Sequence, residues 1–307
     1  MMTSRSFGRM LGTALLVSAA APALAVAQLR VVTSTTDLYD IAKAVGGDRI
    51  TATHVGEGYE DPHFVQPKPS FILNLRRADV WAYVGLDLEI GWMPILLNGS
   101  RNPKIQAGGP GHVNVSTVIP VLDVATGRID RSLGDVHPLG NPHYWLDPAN
   151  AKRIAKLFQD TFTKLDPAGA ATYEANRQAF DARLDAAVGE WAADLAAIRG
   201  KPAVAWHTSW RYFAAFTGLD LVGFIEPKPG VPPSPAHLSN LVALMKETGT
   251  KVIIMEPFYD RKTADLLARQ TGATVLVLPP SVGGQQGVDD YLSLMQHNIR
   301  TVADALR

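Results

Sequence analysis

The chain has 307 residues, of which 47% are hydrophobic and 19% are charged, which is the composition of a folded protein with a packed core. Lysine plus arginine and aspartate plus glutamate each number 29, so the formal net charge at pH 7 is zero. We therefore expect no nucleic-acid partner, because binding a phosphate backbone needs a basic surface. The chain has no cysteine, so disulfides and thiolate metal sites are excluded, and any metal ligands must be histidine, aspartate or glutamate.

Residues 1–27 have the pattern of a secretory signal peptide. Arg5 and Arg9 precede an apolar stretch over residues 10–21, and Ala-Val-Ala at residues 25–27 matches the small-x-small pattern at which such peptides are cleaved. We expect cleavage near Ala27 and a mature protein in the periplasm. Because a thioether lipid needs a cysteine, we also expect no lipid anchor.

Short β-branched runs alternate with helical patterns near the start of the mature chain and again from residue 201 onward. This alternation predicts an α/β protein with two lobes, each a mainly parallel sheet flanked by helices. The Gly-rich segment 108–134 is predicted to be an irregular loop. The predicted strands are residues 29–35, 49–55, 79–84, 202–206, 219–225, 251–255 and 274–278.

A helical tract separates the two alternating sets. Asp147 followed by Pro148 predicts a helix N-cap with proline at the first helical position. Further on, an apolar stripe predicts one helix of about 30 residues, roughly 45 Å long, that bridges the lobes. We place the N-terminal lobe at 28–147, the linking helices at 148–199 and the C-terminal lobe at 200–307; one core helix inside a single domain is the alternative. The stripe consists of Tyr173, Phe180, Leu184, Ala187, Trp191, Leu195 and Ile198.

Three of the eight histidines stand where predicted elements begin or end: His63, His143 and His207. Ligands of open α/β sheets bind beyond the carboxyl ends of the strands, which for two lobes is the cleft between them. Imidazole is a common zinc ligand, and zinc prefers four ligands. These positions indicate a candidate metal site in the interlobe cleft. His237 and His297 lie in predicted helices and are expected to face solvent.

Several segments resemble those of the zinc- and manganese-specific solute-binding proteins of bacterial ABC importers, over essentially the whole mature chain. The resemblance implies two α/β lobes bridged by one long helix, no enzymatic activity, and three metal ligands, His63, His143 and His207. The segments are Asp61-Pro62-His63 with Pro67-Lys68-Pro69-Ser70, Asn141-Pro142-His143-Tyr144-Trp145-Leu146-Asp147-Pro148, Trp206-His207 with Tyr212-Phe213, Ile225-Glu226-Pro227 with Pro233-Ser234-Pro235, and Met255-Glu256-Pro257.

The chain departs from that family at the fourth ligand. Members usually carry an aspartate in a Leu-Asp-Pro segment after the last strand, whereas this chain reads Leu278-Pro279-Pro280. Proline has no side-chain donor, so another group must complete the site. Glu256 is the leading candidate for the fourth ligand because it follows the strand that neighbours the one ending at Leu278. The alternatives are a bound water, Asp61, Glu60 and His137.

The resemblance implies periplasmic capture of Zn(II) and delivery to the membrane permease of an ABC importer, by a monomer. A periplasmic metallochaperone that loads the metal is a further candidate partner. Manganese or iron is the alternative cargo, but those ions favour carboxylates, and manganese-specific members tend to carry glutamate where His207 stands. A zinc-dependent hydrolase is a remote alternative, since the sequence has no His-Glu-x-x-His motif. A surface or adhesion protein would need a lipid anchor or a cell-wall attachment signal, and we expect neither from this sequence.

Overall fold

The computed structural model describes residues 28–125 and 137–307. The predicted signal peptide and part of the predicted 108–134 loop therefore lie outside the described residues. Within the described ranges, no helix combines the length and the apolar character that crossing a membrane requires.

The first lobe is a parallel sheet with helices packed against it. Its strands are β1 (Leu29–Thr33), β2 (Ile50–His54), β3 (Val80–Tyr83) and β4 (His112–Asn114), and its helices are α1 (Thr36–Gly46), α2 (Pro69–Arg77) and α3 (Met93–Ser100). The strands lie in the order β2-β1-β3-β4, and every pair is parallel. All four residues of β3 are buried, because helices cover both faces of a parallel sheet.

The second lobe repeats this arrangement after three linking helices. The linking helices are α4 (Pro148–Leu165), α5 (Ala170–Glu190) and α6 (Ala192–Ile198). The lobe contains β5 (Pro202–Ala205), β6 (Asp220–Phe224), β7 (Val252–Met255), β8 (Thr274–Val277), α7 (Arg211–Thr217), α8 (Pro235–Thr248), α9 (Lys262–Thr271) and α10 (Tyr291–Leu306). Its parallel sheet has the order β6-β5-β7-β8, which is the order of the first lobe. The expected two-lobed α/β fold is confirmed.

Strand β4 corrects the prediction of an irregular loop over residues 108–134. This strand has only three residues, too few for an alternating pattern to show in the sequence. It pairs with β3, where the backbone of Trp81 donates to the carbonyl of Gly111 at 2.8 Å. A Cβ on Gly111 would lie 1.9 Å from the carbonyl oxygen of Asp79, so glycine permits this close approach. Helix α3 was not predicted either.

The bridging helix is built as the apolar stripe predicts. Helices α5 and α6 follow one another with a break only at Trp191, whose N–H reaches the carbonyls of both Ala187 and Gly189. Five stripe residues are buried, and Ala187 and Leu195 pack against the same core. Helix α5 contacts α1 and α4, whereas α6 contacts α10. The two helices therefore connect the first lobe to the second.

Hydrogen bonds join the lobes on the side of the cleft where α1 and α10 lie. The Asp37 carboxylate accepts from the backbone of Val282 at 3.1 Å. The Trp145 indole donates to the Pro280 carbonyl at 2.8 Å, and the Tyr291 hydroxyl donates to the Trp145 carbonyl at 2.6 Å. These donors and acceptors are buried, so separating the lobes would leave them without partners. The segment that contains Pro279 is thus held against the first lobe.

We predict that Gly58→Ala destabilises this interlobe contact. An added Cβ would lie 1.9 Å from the carbonyl oxygen of Val282 and 2.7 Å from the backbone nitrogen of Gly284, so the two backbones must move apart. Such overpacking should lower the free energy of unfolding by about 1–3 kcal/mol, measured by urea denaturation.

Gly189→Ala is the matched control for that variant. A Cβ at this helical glycine meets nothing within 4 Å, so alanine should leave stability unchanged or raise it by up to about 1 kcal/mol. If Gly58→Ala were as stable as Gly189→Ala, that result would contradict the close contact of Gly58 with the backbone of Val282 and Gly284.

Candidate metal centre

Three histidines from different parts of the chain meet in the cleft. His63 lies in the helical turn Pro62–Phe64 after β2, His143 precedes α4, and His207 follows β5. Their ligand nitrogens all lie within 4.8 Å of one another, and in the part of the chain that the structure describes no other group of three or more histidine, aspartate or glutamate side chains forms such a set. His143 and His207 are buried, whereas His63 is partly exposed.

Each of these imidazoles has its Nδ1 hydrogen-bonded to a side-chain oxygen. Because the oxygens accept, Nδ1 carries the proton and the Nε2 lone pair is free to bind a cation. At His207, Nε2 is buried and has no hydrogen-bond partner among the described residues. The bonds are His63 Nδ1 to Asp61 Oδ1 at 2.6 Å, His143 Nδ1 to Asn141 Oδ1 at 3.0 Å, and His207 Nδ1 to Glu226 Oε2 at 2.8 Å.

Two of the three histidines are positioned by the same short sequence pattern, an Asp or Asn followed by proline and histidine. In each, the side-chain oxygen two residues earlier accepts from both the backbone N–H and the ring Nδ1 of the histidine. The intervening Pro62 or Pro142 fixes one backbone dihedral, which limits where the ring can point. The Asn141 amide is itself held, because its nitrogen donates to the carbonyl of Thr208 across the cleft at 2.9 Å.

His207 is positioned instead by contacts between neighbouring strands. It follows β5, and its partner Glu226 follows β6, which pairs with β5. Glu256 follows β7 on the other side of β5 and is fully buried. Neither of its carboxylate oxygens makes a close hydrogen bond in the described part of the chain, although the Ser209 side chain is near enough to favour the ionised form. Burial raises the pKa of Glu256 to about 7, although the positive charge of His207 opposes the shift.

The protonation of the buried imidazoles follows from their surroundings. Burial, together with the neighbouring histidines, holds the pKa of His143 well below its usual range. Burial alone would lower the pKa of His207, but Glu226, Glu256 and Asp61 outweigh it and raise that pKa. His143 is therefore neutral at neutral pH, and the surrounding carboxylates make His207 easier to protonate than an isolated imidazole.

The remaining candidates for a fourth ligand occupy different places. The Nε2 of His137 lies 3.1 Å from the Nε2 of His63, although His137 is outside the group of three. Asp61 is engaged by His63, and Glu60 accepts from the backbone of Glu57 at 3.4 Å. The oxygens of Glu256 are also outside the group.

Two expectations about histidines outside the cluster need correction. His237 and His297 are half-buried rather than solvent-facing. The ring of His237 lies back on the second lobe, because its Nε2 donates to the carbonyl of Phe224 at 2.9 Å.

A cleft of about 630 Å³ opens beside the cluster, with His63 and His137 in its wall. Its other lining side chains include Phe64, Ile90 and Ile95, which are more than half exposed. An ion from solvent can therefore approach the histidines between walls that are mostly apolar, with Gln66 and Asp87 as the polar exceptions beside the histidines.

The sequence profile of the family described as "Zinc-uptake complex component A periplasmic" (ZnuA) matches residues 31–305. The chain belongs to this family. It is therefore a metal-binding solute-binding protein of an ABC importer, whose partner is the membrane permease, and it is not an enzyme.

Individual relatives resemble the chain over most of its length. It is 27% identical over 284 residues to the manganese-binding lipoprotein MntA of Halalkalibacterium halodurans, covering 91% of this chain and 88% of the relative. It is equally 27% identical over 286 residues to the high-affinity zinc uptake system protein ZnuA of Bacillus subtilis, with coverage of 91% and 88%. The names of these relatives thus include both zinc and manganese.

Solved structures resemble the fold described above. A ZnuA deletion mutant with zinc bound has a TM-score of 0.74 at 25% identity, covering 91% of this chain and 98% of that one. A cadmium-bound periplasmic metal-binding protein from Candidatus Liberibacter asiaticus has a TM-score of 0.76 at 21% identity, covering 91% and 100%.

The sequence interpretation did not recognise Asn141 and Glu226 as the groups that orient two of the histidines. The repeated Asx-Pro-His pattern was available in the sequence and would have identified Asn141 beside Asp61. No local pattern identifies Glu226, because its contact with His207 depends on two strands lying side by side.

Proposed function

We propose that this protein captures Zn(II) in the periplasm and delivers it to the permease of an ABC importer. The proposal places zinc on the Nε2 atoms of His63, His143 and His207. The observation that carries it is that all three rings have Nδ1 held by an oxygen, which leaves Nε2 to bind a cation, and that their ligand nitrogens meet within 4.8 Å. Nitrogen donors at about 2.0–2.1 Å are what zinc binds in proteins, and outer hydrogen bonds of this kind fix the rings for it.

The charges around the histidines support a divalent cation. Asp61 and Glu226 each bond to the far side of a ligand ring, and the Glu256 carboxyl is close enough to His207 to affect its pKa. Negative charge behind neutral imidazoles raises their basicity and balances the charge of the ion without occupying its coordination positions. A buried cation would otherwise be costly to remove from water.

Manganese is the competing cargo, since one relative is named for it. Manganese prefers oxygen ligands, whereas imidazole sites suit zinc. The group of three in the described residues contains no carboxylate. This donor set favours zinc.

Isothermal calorimetry tests the zinc assignment. We expect one zinc per chain, bound more tightly than manganese, because the donors are neutral nitrogens. Replacing His63, His143 or His207 by alanine should weaken zinc binding at least about tenfold, since even the loss of an outer hydrogen bond typically costs 10–100-fold.

His237→Ala is the control for these variants, because this histidine is half-buried but lies outside the cluster. It should bind zinc as the parent does, and circular dichroism should show that all four variants are folded. Equal or tighter binding of manganese would refute the zinc assignment. Full zinc affinity in any of the three cluster variants would remove that residue from the site.

A pH titration of Glu226→Gln tests the electrostatic part of the proposal. Glutamine keeps an oxygen for His207 Nδ1 but removes a charge that raises the pKa of His207. Since protons compete with zinc for Nε2, the pH below which binding weakens should move downward in this variant. A competing chelator can follow zinc affinity between about pH 8 and about pH 5, the range that brackets imidazole titration.

Glu60→Gln serves as the matched control, because Glu60 lies in the neighbouring loop and bonds no cluster histidine in the described structure. It should leave the pH profile unchanged. A midpoint that stays fixed or moves upward in Glu226→Gln would contradict the role given to this carboxylate.

A further inference from the structure

Two imidazoles face each other at the mouth of the cluster. The Nε2 atoms of His63 and His137 are 3.1 Å apart. The Nδ1 of His63 bonds to Asp61 Oδ1 at 2.6 Å, and the Nδ1 of His137 bonds to the carbonyl of Leu86 at 2.8 Å. A carbonyl oxygen can only accept a hydrogen bond, and the same is true of the ionised carboxylate of Asp61. Both neutral rings therefore direct a lone pair at the same point.

Two lone pairs at this distance repel each other unless a positive charge lies between them, either a proton that the rings share or a metal ion. A tetrahedral zinc with bonds of 2.0–2.1 Å holds its ligand nitrogens about 3.3 Å apart. The separation of His63 and His137 is close to that value. The ligand nitrogens of His63, His143 and His207 lie within 4.8 Å of one another, so small movements of the rings suffice to bring them to this separation around one ion.

The carbonyl that holds His137 belongs to a strained turn after β3. Leu86 and Asp87 have φ angles of +54° and +64°, a region that non-glycine residues seldom adopt. The buried carboxylate of Glu89 keeps the turn in place by accepting from the backbones of Val84 at 2.7 Å and Gly85 at 3.0 Å. Backbone strain that is held by its surroundings is concentrated at functional sites. Here the turn directs the Leu86 carbonyl at a histidine.

The carboxylates that compete for the fourth position are less suitably placed. Asp61 is occupied by the backbone and ring of His63. Glu256 is fully buried, and its oxygens, like the ring nitrogens of His137, lie outside the group of three. Asp61 contacts the Nδ1 of His63, whereas His137, among these candidates in the described structure, alone contacts the Nε2 of a cluster histidine through the atom that would bind metal.

We propose that His137 is the fourth zinc ligand, held by the Leu86 carbonyl, so that the site consists of four imidazoles. This inference rests on the proposed function, because it needs zinc to bind at His63, His143 and His207. It also gives the site its selectivity, since four neutral nitrogens favour zinc over manganese more strongly than three nitrogens and a carboxylate do. Glu256 then acts by its charge and not as a ligand.

X-ray absorption of the zinc-loaded protein counts the imidazoles directly. The parent protein should show four imidazole nitrogens, and His137→Ala should show three, with a water oxygen in the fourth position. Zinc affinity should fall at least about tenfold in His137→Ala, and the preference for zinc over manganese should fall with it. His137→Gln, which keeps a polar side chain of similar reach, should behave in the same way.

Two matched variants separate this proposal from its alternatives. Glu256→Gln should retain four imidazoles. His112→Ala should retain them too, because His112 is a first-lobe histidine that bonds Tyr83 and Ile105 instead. Three imidazoles plus an oxygen in the parent, unchanged in His137→Ala, would overturn the assignment. If that oxygen shell changes in Glu256→Gln, the ligand is Glu256. A parent protein that binds no zinc would instead overturn the proposed function.

Discussion

The structure of the cleft depends on the hydrogen bond that each histidine donates from Nδ1. An imidazole can rotate and exchange tautomers, so its bare presence in a cleft defines no metal site. Here Asp61, Asn141 and Glu226 accept these protons, which fixes both the tautomer and the direction of Nε2. The ring nitrogens are oriented by the protein's own hydrogen bonds, so little ordering is needed when a metal ion binds.

The two lobes make this arrangement possible because they share one strand order. In each, the order reverses beside the first strand, at β1 and β3 or at β5 and β7, and the crevice at such a reversal is where α/β proteins bind ligands. The strained Leu86–Asp87 turn follows β3, and His207 and Glu256 follow β5 and β7. The bridging helices and the buried interlobe hydrogen bonds then hold the crevices face to face.

Local signals in the sequence predicted much of this fold. Proline after Asp147 marked a helix start, and the Asp147 side chain does cap that helix. The predicted strands were found because buried parallel strands read as β-branched runs. The sequence did not predict strand β4, because three residues are too few to show the alternating pattern of a strand. The contacts of His207 with Glu226 and of His137 with Leu86 join residues 19 and 51 positions apart, and they depend on strand pairing and on a positive-φ turn, which no local pattern encodes.

Nitrogen NMR of the histidine rings tests most directly whether Nε2 binds the ion while Nδ1 keeps its proton. With ¹⁵N-labelled histidine, the account predicts that His63, His143 and His207 carry the proton on Nδ1 in the metal-free protein at neutral to mildly basic pH. On addition of one equivalent of zinc, their Nε2 resonances should shift while the Nδ1 protons persist; His237, whose Nε2 donates to Phe224, should show the opposite tautomer and no shift. Zinc-induced loss of an Nδ1 proton, or unchanged Nε2 resonances in the three histidines, would contradict it.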